Sequence, residues 1–308
     1  MTKEEAKKYI DDYILHIIRT VEYGNLFADD FADSIKNAKK KCEEALRKHQ
    51  YCSTHKLCRE TLKKIKVILK ELQTELENYV DDNIKDVIDN ENEWIKINVA
   101  NVIGKEFNSP KNAASMLKKL PIATIGLVGM FGESVASRLY NLYNSVVQSS
   151  YITGSSVDDI YDDYEARFDS FDKGVHREAE TVGQSLENSY DRMVYTKNSS
   201  KNTFYIWSAV LDSSTCLYCA SLSGKRFDDI NKAPMYNTHF GCRCTVIPCT
   251  EEIAEYMPKD YEEWFEEQPK ETKREILGKN RFLLYENGMK IKSFVNNGKT
   301  TPLKDIKK

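Results

Sequence analysis

The sequence has no long apolar run. The longest stretch without a charged side chain near its middle, Leu120 to Gly132, contains Pro121, Gly126, Gly129 and Gly132. It is too short for a bilayer, which needs about 20 apolar residues, so it reads as a buried or docking segment and no membrane partner is expected. The chain also lacks a basic excess: 45 Lys and Arg stand against 48 Asp and Glu, for a net charge of −3 over 308 residues. A broad DNA-binding surface needs strong positive charge, so runs such as Lys39 to Lys41 read as solvated helix faces. The opening residues, MTKEEAKKYIDDYI, carry no apolar core and no small-residue cleavage site, so they do not read as a secretory signal, and reduced thiols are the expectation. Eight cysteines in a chain this long are not a dense disulfide framework. No phosphate-binding loop and no grouping of nucleophile, acid and base is visible. No enzymatic activity is therefore expected, and no catalytic or cofactor-contacting residue is assigned.

What the sequence does have is helical periodicity. The expected fold class is mainly α with a small antiparallel β module built on a zinc knuckle (α+β), preceded by an elongated helical N-terminal region. Four stretches follow: helices over 1–105, a further helical region over 106–202, a Cys/His β module over 203–250 and a helical tail over 251–308. Tyr9, Ile10, Tyr13, Ile14, Ile17 and Val21 form one apolar face. Gly24-Asn25 predicts a break, with a second helix from Asp29 to about Lys48. Leu62, Ile65, Leu69, Leu72, Leu76 and Tyr79 then step by threes and fours, the seam of a coiled coil or of an internal helical hairpin. Cys52, His55 and Cys58 are too spread along a helix to share an ion. Histidines such as His16, His49 and His176 stand alone, with no visible partner set.

Ser109-Pro110 predicts a helix start and Leu120-Pro121 its end. Val135, Leu139, Leu142, Tyr143, Val146 and Val147 share a helix face. Gly154-Ser155-Ser156 separates that helix from the next, with Ser155 or Ser156 as N-cap, and a further helix runs from about Val175 to Lys197. Beyond the cysteine module, Tyr261, Trp264 and Phe265 cluster on a helix. Pro269 suits the first helical position and Gly278 a C-cap. This tail reads either as a docking segment or as a helix packed on the module, and residues 296–308 read as frayed.

The chain is organised around residues 207–248. Here Cys216 and Cys219 form a C-x2-C pair, and after nineteen residues His239, Cys242 and Cys244 form H-x2-C-x-C. Short spacing within each half lets two knuckles reach one ion, and a sulfur and nitrogen donor set is zinc's preference. The predicted ligands are Cys216, Cys219, His239 and either Cys242 or Cys244. Disulfides and plain buried thiols are the competing readings. A catalytic zinc keeps an open position and a nearby acid or base, whereas a mostly thiolate set fits a closed structural site. Asp212 reads as a turn or cap residue. Residues 204–211 predict a strand, with 242–247 as its partner. On that strand Cys242 and Cys244 share a face, and Arg243 points away, free to meet a carboxylate.

The order W-x4-D-x3-C-x2-C, then L-S-G, then H-x2-C-R-C and a proline resembles the C-terminal motif of phage head morphogenesis proteins, the Mu F-like minor capsid proteins of tailed phages. Trp207, Asp212, Cys216, Cys219, Leu222, Gly224, His239, Cys242, Arg243, Cys244 and Pro248 carry it. In that family an upstream helix bears Arg-Thr-Glu with an Asn seven residues after the Thr. Thr181 and Asn188 fit this register, with Glu180 and Val182 in place of the two charges. The resemblance implies a non-enzymatic structural component of a phage or prophage head, portal-associated and aiding head morphogenesis. The implied partners are the portal protein and capsid or scaffold proteins, with packaged DNA as a further contact during packaging or ejection. The implied location is the virion interior near the portal, and the host cytoplasm during assembly. The alternatives are a phage-encoded effector carrying the same module, and a zinc-dependent nucleic-acid-binding protein using Lys225, Arg226 and Arg243. Asp228, Asp229 and the overall charge oppose the latter.

Overall fold

The computed structural model describes the chain except residues 104–107, 123–125, 199–201, 235–240, 297 and 307–308. It is mainly helical, with small antiparallel sheets.

The first helix, α1, runs unbroken from Lys3 to Arg47, about 67 Å at 1.5 Å per residue. Its start is a capping box: the Thr2 hydroxyl accepts from the Glu5 amide, and the Glu5 carboxylate accepts from the Thr2 amide. The break predicted at Gly24-Asn25 does not occur. Gly24 sits inside the helix where another helix crosses it, and that close approach, not a turn, is why glycine stands there.

Helix α2 spans His55–Asn98, its first turn capped by the Thr54 hydroxyl. Its predicted seam extends through Val80, Ile84, Val87 and Ile95, all buried. The seam packs within the chain, against α1 and against α5 (Phe131–Thr153). Of the two readings of the seam, the structure shows the internal one. A Cβ on Gly132 would lie 3.1 Å from the Gln73 carbonyl oxygen, which measures how closely α5 approaches α2.

Between α2 and α5 lie two short helices, α3 (Ala100–Ile103) and α4 (Ala113–Lys118). A minimal ladder follows, β1 (Pro121–Ile122) with β2 (Gly126–Leu127). The helix expected from Pro110 begins only at Ala113, and it ends before Pro121 as expected. Gly154, at φ 71°, closes α5. The hydroxyl of Ser156 then accepts from the Asp159 amide at 3.1 Å, the predicted N-cap of the next helix. That helix, α6 (Val157–Asn198), is one element of 42 residues rather than a short segment followed by a helix from Val175. From Val175 onward it is buried on nearly every face, among α1, α2 and α5.

The β module is a three-stranded antiparallel sheet in the order β4-β3-β5: β3 Phe204–Ser208, β4 Arg226–Phe227 and β5 Thr245–Cys249. Trp207 pairs with Val246, and Ile206 with Ile247. Both long strands are shorter than predicted. In particular β5 starts at Thr245, so Cys242 and Cys244 lie in the coil that feeds it. One helical turn, α7 (Leu217–Leu222), carries the first cysteine pair.

The tail comprises α8 (Glu251–Ala254), α9 (Tyr261–Glu267), α10 (Lys270–Glu286) and a hairpin of β6 (Val295–Asn296) with β7 (Lys299–Thr300). Pro269 is the N-cap of α10, one position earlier than predicted. Gly278 does adopt φ 69°, but the helix resumes after this kink and reaches Glu286. The tail packs on the cysteine module: the Tyr261 amide donates to Ser223 Oγ, and its hydroxyl donates to the Asp212 carbonyl. Where fraying is expected, Asn296 pairs with Lys299 in the β6–β7 ladder, and Gly298 sits against the Tyr218 ring. Buried apolar residues from all these segments belong to one continuous cluster. Among the described residues no helix is long and apolar enough to cross a membrane.

Candidate metal centre

Local geometry brings the first pair of thiols together. Cys216 is the N-cap of α7, and its Sγ accepts from the Cys219 amide at 3.4 Å. A C-x2-C spacing places its second cysteine at the third helical residue, which faces the cap. The second pair arrives along the coil before β5. Its Cys242 Sγ lies 3.8 Å from Cys219 Sγ. The sulfurs of Cys219, Cys242 and Cys244 all lie within 4.8 Å of one another, and all three residues are buried. Cys216, half-buried, is in side-chain contact with Cys219 but lies outside the group of three, at its edge. The sequence left Cys242 and Cys244 as alternatives. In the structure both converge, because the coil turns them inward where a strand would only have aligned them. His239 lies outside the described residues.

The packing that holds this cluster is specific. Arg243, between the two converging cysteines, points away from them and grips Asp212 with both terminal nitrogens, at 2.6 and 2.8 Å. Asp212 also receives the Ser214 amide and the Thr215 hydroxyl, so it is the turn residue the sequence suggested. Burial raises its carboxyl, but Arg243 and the turn donors outweigh burial and leave it below the ordinary aspartate value. Trp207, 1% exposed, anchors β3 behind the cluster. Gly224, at φ 74°, turns the chain between α7 and β4.

Two contacts from α6 reach the second knuckle. Thr181 Oγ1 accepts from the Gly241 amide at 3.0 Å, one residue before Cys242. Arg192 donates to the carbonyls of Ile230, Ala233 and Pro234, pinning the loop that joins the two cysteine pairs. Thr181, marked only by the family resemblance, has a contact here. Nothing in the sequence around Arg192 marked it, because its acceptors are backbone carbonyls that carry no side-chain signature.

The electrostatics of the thiols follow from crowding. The Cys219 thiol is pushed far above its ordinary range by the thiols of Cys216, Cys242 and Cys244 and by burial. For Cys244 the contact with Cys219 pulls down while Cys242 and burial push up, and the net is upward. Thiolates this close repel unless a cation sits among them, and a bound divalent metal displaces their protons. Closely set, buried sulfur donors fit zinc or a similarly soft metal.

A second buried cluster joins residues that stand alone in the sequence. His16 of α1, Glu91 of α2 and Asp191 of α6 meet in the core, with their ligating atoms within 4.8 Å of one another. His16 Nε2 is 3.2 Å from Glu91 and 3.6 Å from Asp191. Burial pulls the imidazole down, but the two carboxylates outweigh it and hold it up at about 10. Burial and the nearby Asp191 push the Glu91 carboxyl up to about 8. The available signal was positional. His16 falls on the buried stripe Tyr9, Tyr13, Thr20, Gly24 and Phe27, and Glu91 on the stripe Ile84, Val87 and Ile95. A polar residue on an apolar stripe needs a partner, but which partner depends on how the helices cross.

No family model, curated protein or solved structure matches the chain.

Proposed function

We propose that the chain is a structural minor head protein of a tailed phage or prophage, with its C-terminal module closed by a structural zinc. The observation that carries the zinc reading is the convergence of Cys219 with Cys242 and Cys244, distant in sequence, at one buried point, with Cys216 beside Cys219. Cys216, Cys219, Cys242 and Cys244 would hold the ion, which would supply a cross-link rather than chemistry. The chain's own groups do the rest: Asp212 and Arg243 fix the two knuckles to each other, and Thr181 and Arg192 fix the second to α6.

The head-protein reading rests on the resemblance across residues 207–248. Its supporting observation is that the motif residues outside the thiols have structural tasks of the kind a shared module needs. Trp207 is core, Asp212 and Arg243 pair, and Gly224 turns. The nucleic-acid alternative has less in its favour, since Arg226 is engaged by Asp228 and Glu251 and Arg243 by Asp212.

Elemental analysis of protein purified without added metal should find about one zinc per chain, and Cys219→Ser should lose it. Retention by His239→Ala would identify the thiols as the whole ligand set. Protein free of zinc, with all thiols reactive in the native state, would end the metal reading. The head assignment has a separate test: mass spectrometry of purified particles and assembly intermediates should detect the protein. Its absence from both would end that assignment and leave the effector alternative in front.

A further inference from the structure

The geometry points to a second cation site, where α1, α2 and α6 meet, taking a divalent first-row metal such as Mn²⁺ on His16 Nε2 and the carboxylates of Glu91 and Asp191. It does not rest on the proposed zinc or on the head assignment. The three ligating atoms converge within 4.8 Å, from three different helices. Each residue is nearly sealed from solvent: His16 is 6% exposed, Glu91 4% and Asp191 3%.

A second observation separates this cluster from an ordinary buried ion pair, in that its acceptors outnumber its donors. Glu91 Oε2, 3.2 Å from His16 Nε2, has no aligned hydrogen bond, and Asp191 Oδ1 has none either. A third carboxylate, Glu187, lies one helical turn before Asp191 and also has an oxygen, Oε2, without a donor. Beside one imidazole, then, two buried carboxylates present oxygens that lack donors, and the half-buried Glu187 adds another one turn away. Buried acceptors of this kind are rare, and each calls for an explanation such as an ion.

The ring is also held in place. His16 stacks on Trp94, with centroids 3.6 Å apart and planes within 11°, which fixes the direction in which Nε2 points. The Tyr195 hydroxyl donates to Asp191 Oδ2 at 3.4 Å, which holds the carboxylate in place and leaves Oδ1 without a donor. One imidazole with carboxylates is a nitrogen and oxygen set, harder than the thiol cluster and suited to manganese, iron or zinc. The two sites should therefore sort metals by ligand softness.

The test uses the full chain, already carrying whatever metal it holds after purification. Because the cluster is sealed, the protein is refolded from urea with and without Mn²⁺ and then freed of excess metal. Retained manganese is read by elemental analysis and by its electron paramagnetic resonance, and the melting temperature is measured alongside. The wild type should retain about one Mn²⁺ per chain and melt higher with it. Glu91→Gln is nearly isosteric and removes the carboxyl's ability to ionise and ligate, so it should still fold, yet retain at least tenfold less manganese. Asp191→Asn serves as the second variant should Glu91→Gln fail to fold. Cys219→Ser should keep the manganese, which separates this site from the thiols. No retained manganese in the refolded wild type, or equal retention by wild type and variant, overturns the proposal and leaves a network neutralised by protons alone.

Discussion

Arg243 and Asp212 show how one residue pair can organise a module. The pair is bidentate, a geometry that suits guanidinium and carboxylate and that lysine could not reproduce. Arg243→Lys should therefore weaken the module nearly as much as Arg243→Ala. Each should cost about 1 kcal/mol, a charged hydrogen-bond value discounted for the 36% exposure of the Asp212 side chain. The pH dependence has a definite sign. The Asp212 carboxyl is depressed in the folded chain, so its contribution is fully present above its unfolded value, about 3.9. It is lost as pH falls through the lower folded value. Urea melts of wild type and Arg243→Ala at pH 7 and near pH 3 should show the gap between them closing in acid. A gap that persisted in acid would mean that Arg243 acts through packing alone. In the hydrophobic interior behind this pair, Trp207→Ala should cost about 3–5 kcal/mol, read from the same melts.

At the scale of elements, the crossing of α1 and α6 matters most. A Cβ on Gly183 would lie 3.0 Å from Gly24 Cα and from Phe27 Cβ, and one on Gly24 would lie 2.4 Å from Gln184 Cγ. Two glycines face each other where the two long helices touch. Alanine is favoured over glycine in a helix interior by about 1 kcal/mol, so a substitution free of clashes would stabilise. Gly183→Ala should instead destabilise by about 1–3 kcal/mol, because its new methyl meets backbone and the root of a side chain, neither of which can step aside. Gly174, also on α6, has open space around it, and Gly174→Ala should stabilise by about 0.5–1 kcal/mol. Comparing the two in thermal melts controls for propensity. Stabilisation by both would mean that the crossing is looser than described.

The whole molecule couples the cysteine module to the N-terminal helix through tyrosines. The Tyr9 hydroxyl donates to the Pro248 carbonyl, and that of Tyr13 to the Val246 carbonyl, while Tyr13 and Tyr195 join hydroxyls at 2.8 Å. These contacts tie β5 to α1 and α6. From sequence distance alone, loosening the module would leave the N-terminal helices untouched. The tertiary contacts alter that expectation. In Cys219→Ser, hydrogen exchange should quicken over residues 204–249 and also over the N-terminal half of α1, near Tyr9 and Tyr13. It should stay slow over α5 and the middle of α2, which pack on each other away from the module. Protection unchanged in the first half of α1 would show the tyrosine bridges to be energetically minor.

The sequence by itself determined the helical character, several apolar faces and the paired thiols. Apolar steps of three and four marked which face of α2 is buried, Ser156 marked the start of α6, and the two short cysteine spacings marked the thiols that gather. All are local, decided within one or two turns of chain. The tertiary structure decided what depends on approach between distant segments. Gly24 reads as a break when only its neighbours are considered, because propensity penalises glycine in a helix, and it becomes a contact once Gly183 arrives opposite. On an idealised strand Cys242 and Cys244 are alternatives, and both reach Cys219 because β5 begins only at Thr245 and leaves them in coil. His16 looked solitary because Glu91 and Asp191 lie 75 and 175 residues further along the chain, and only the packing of three helices sets them side by side.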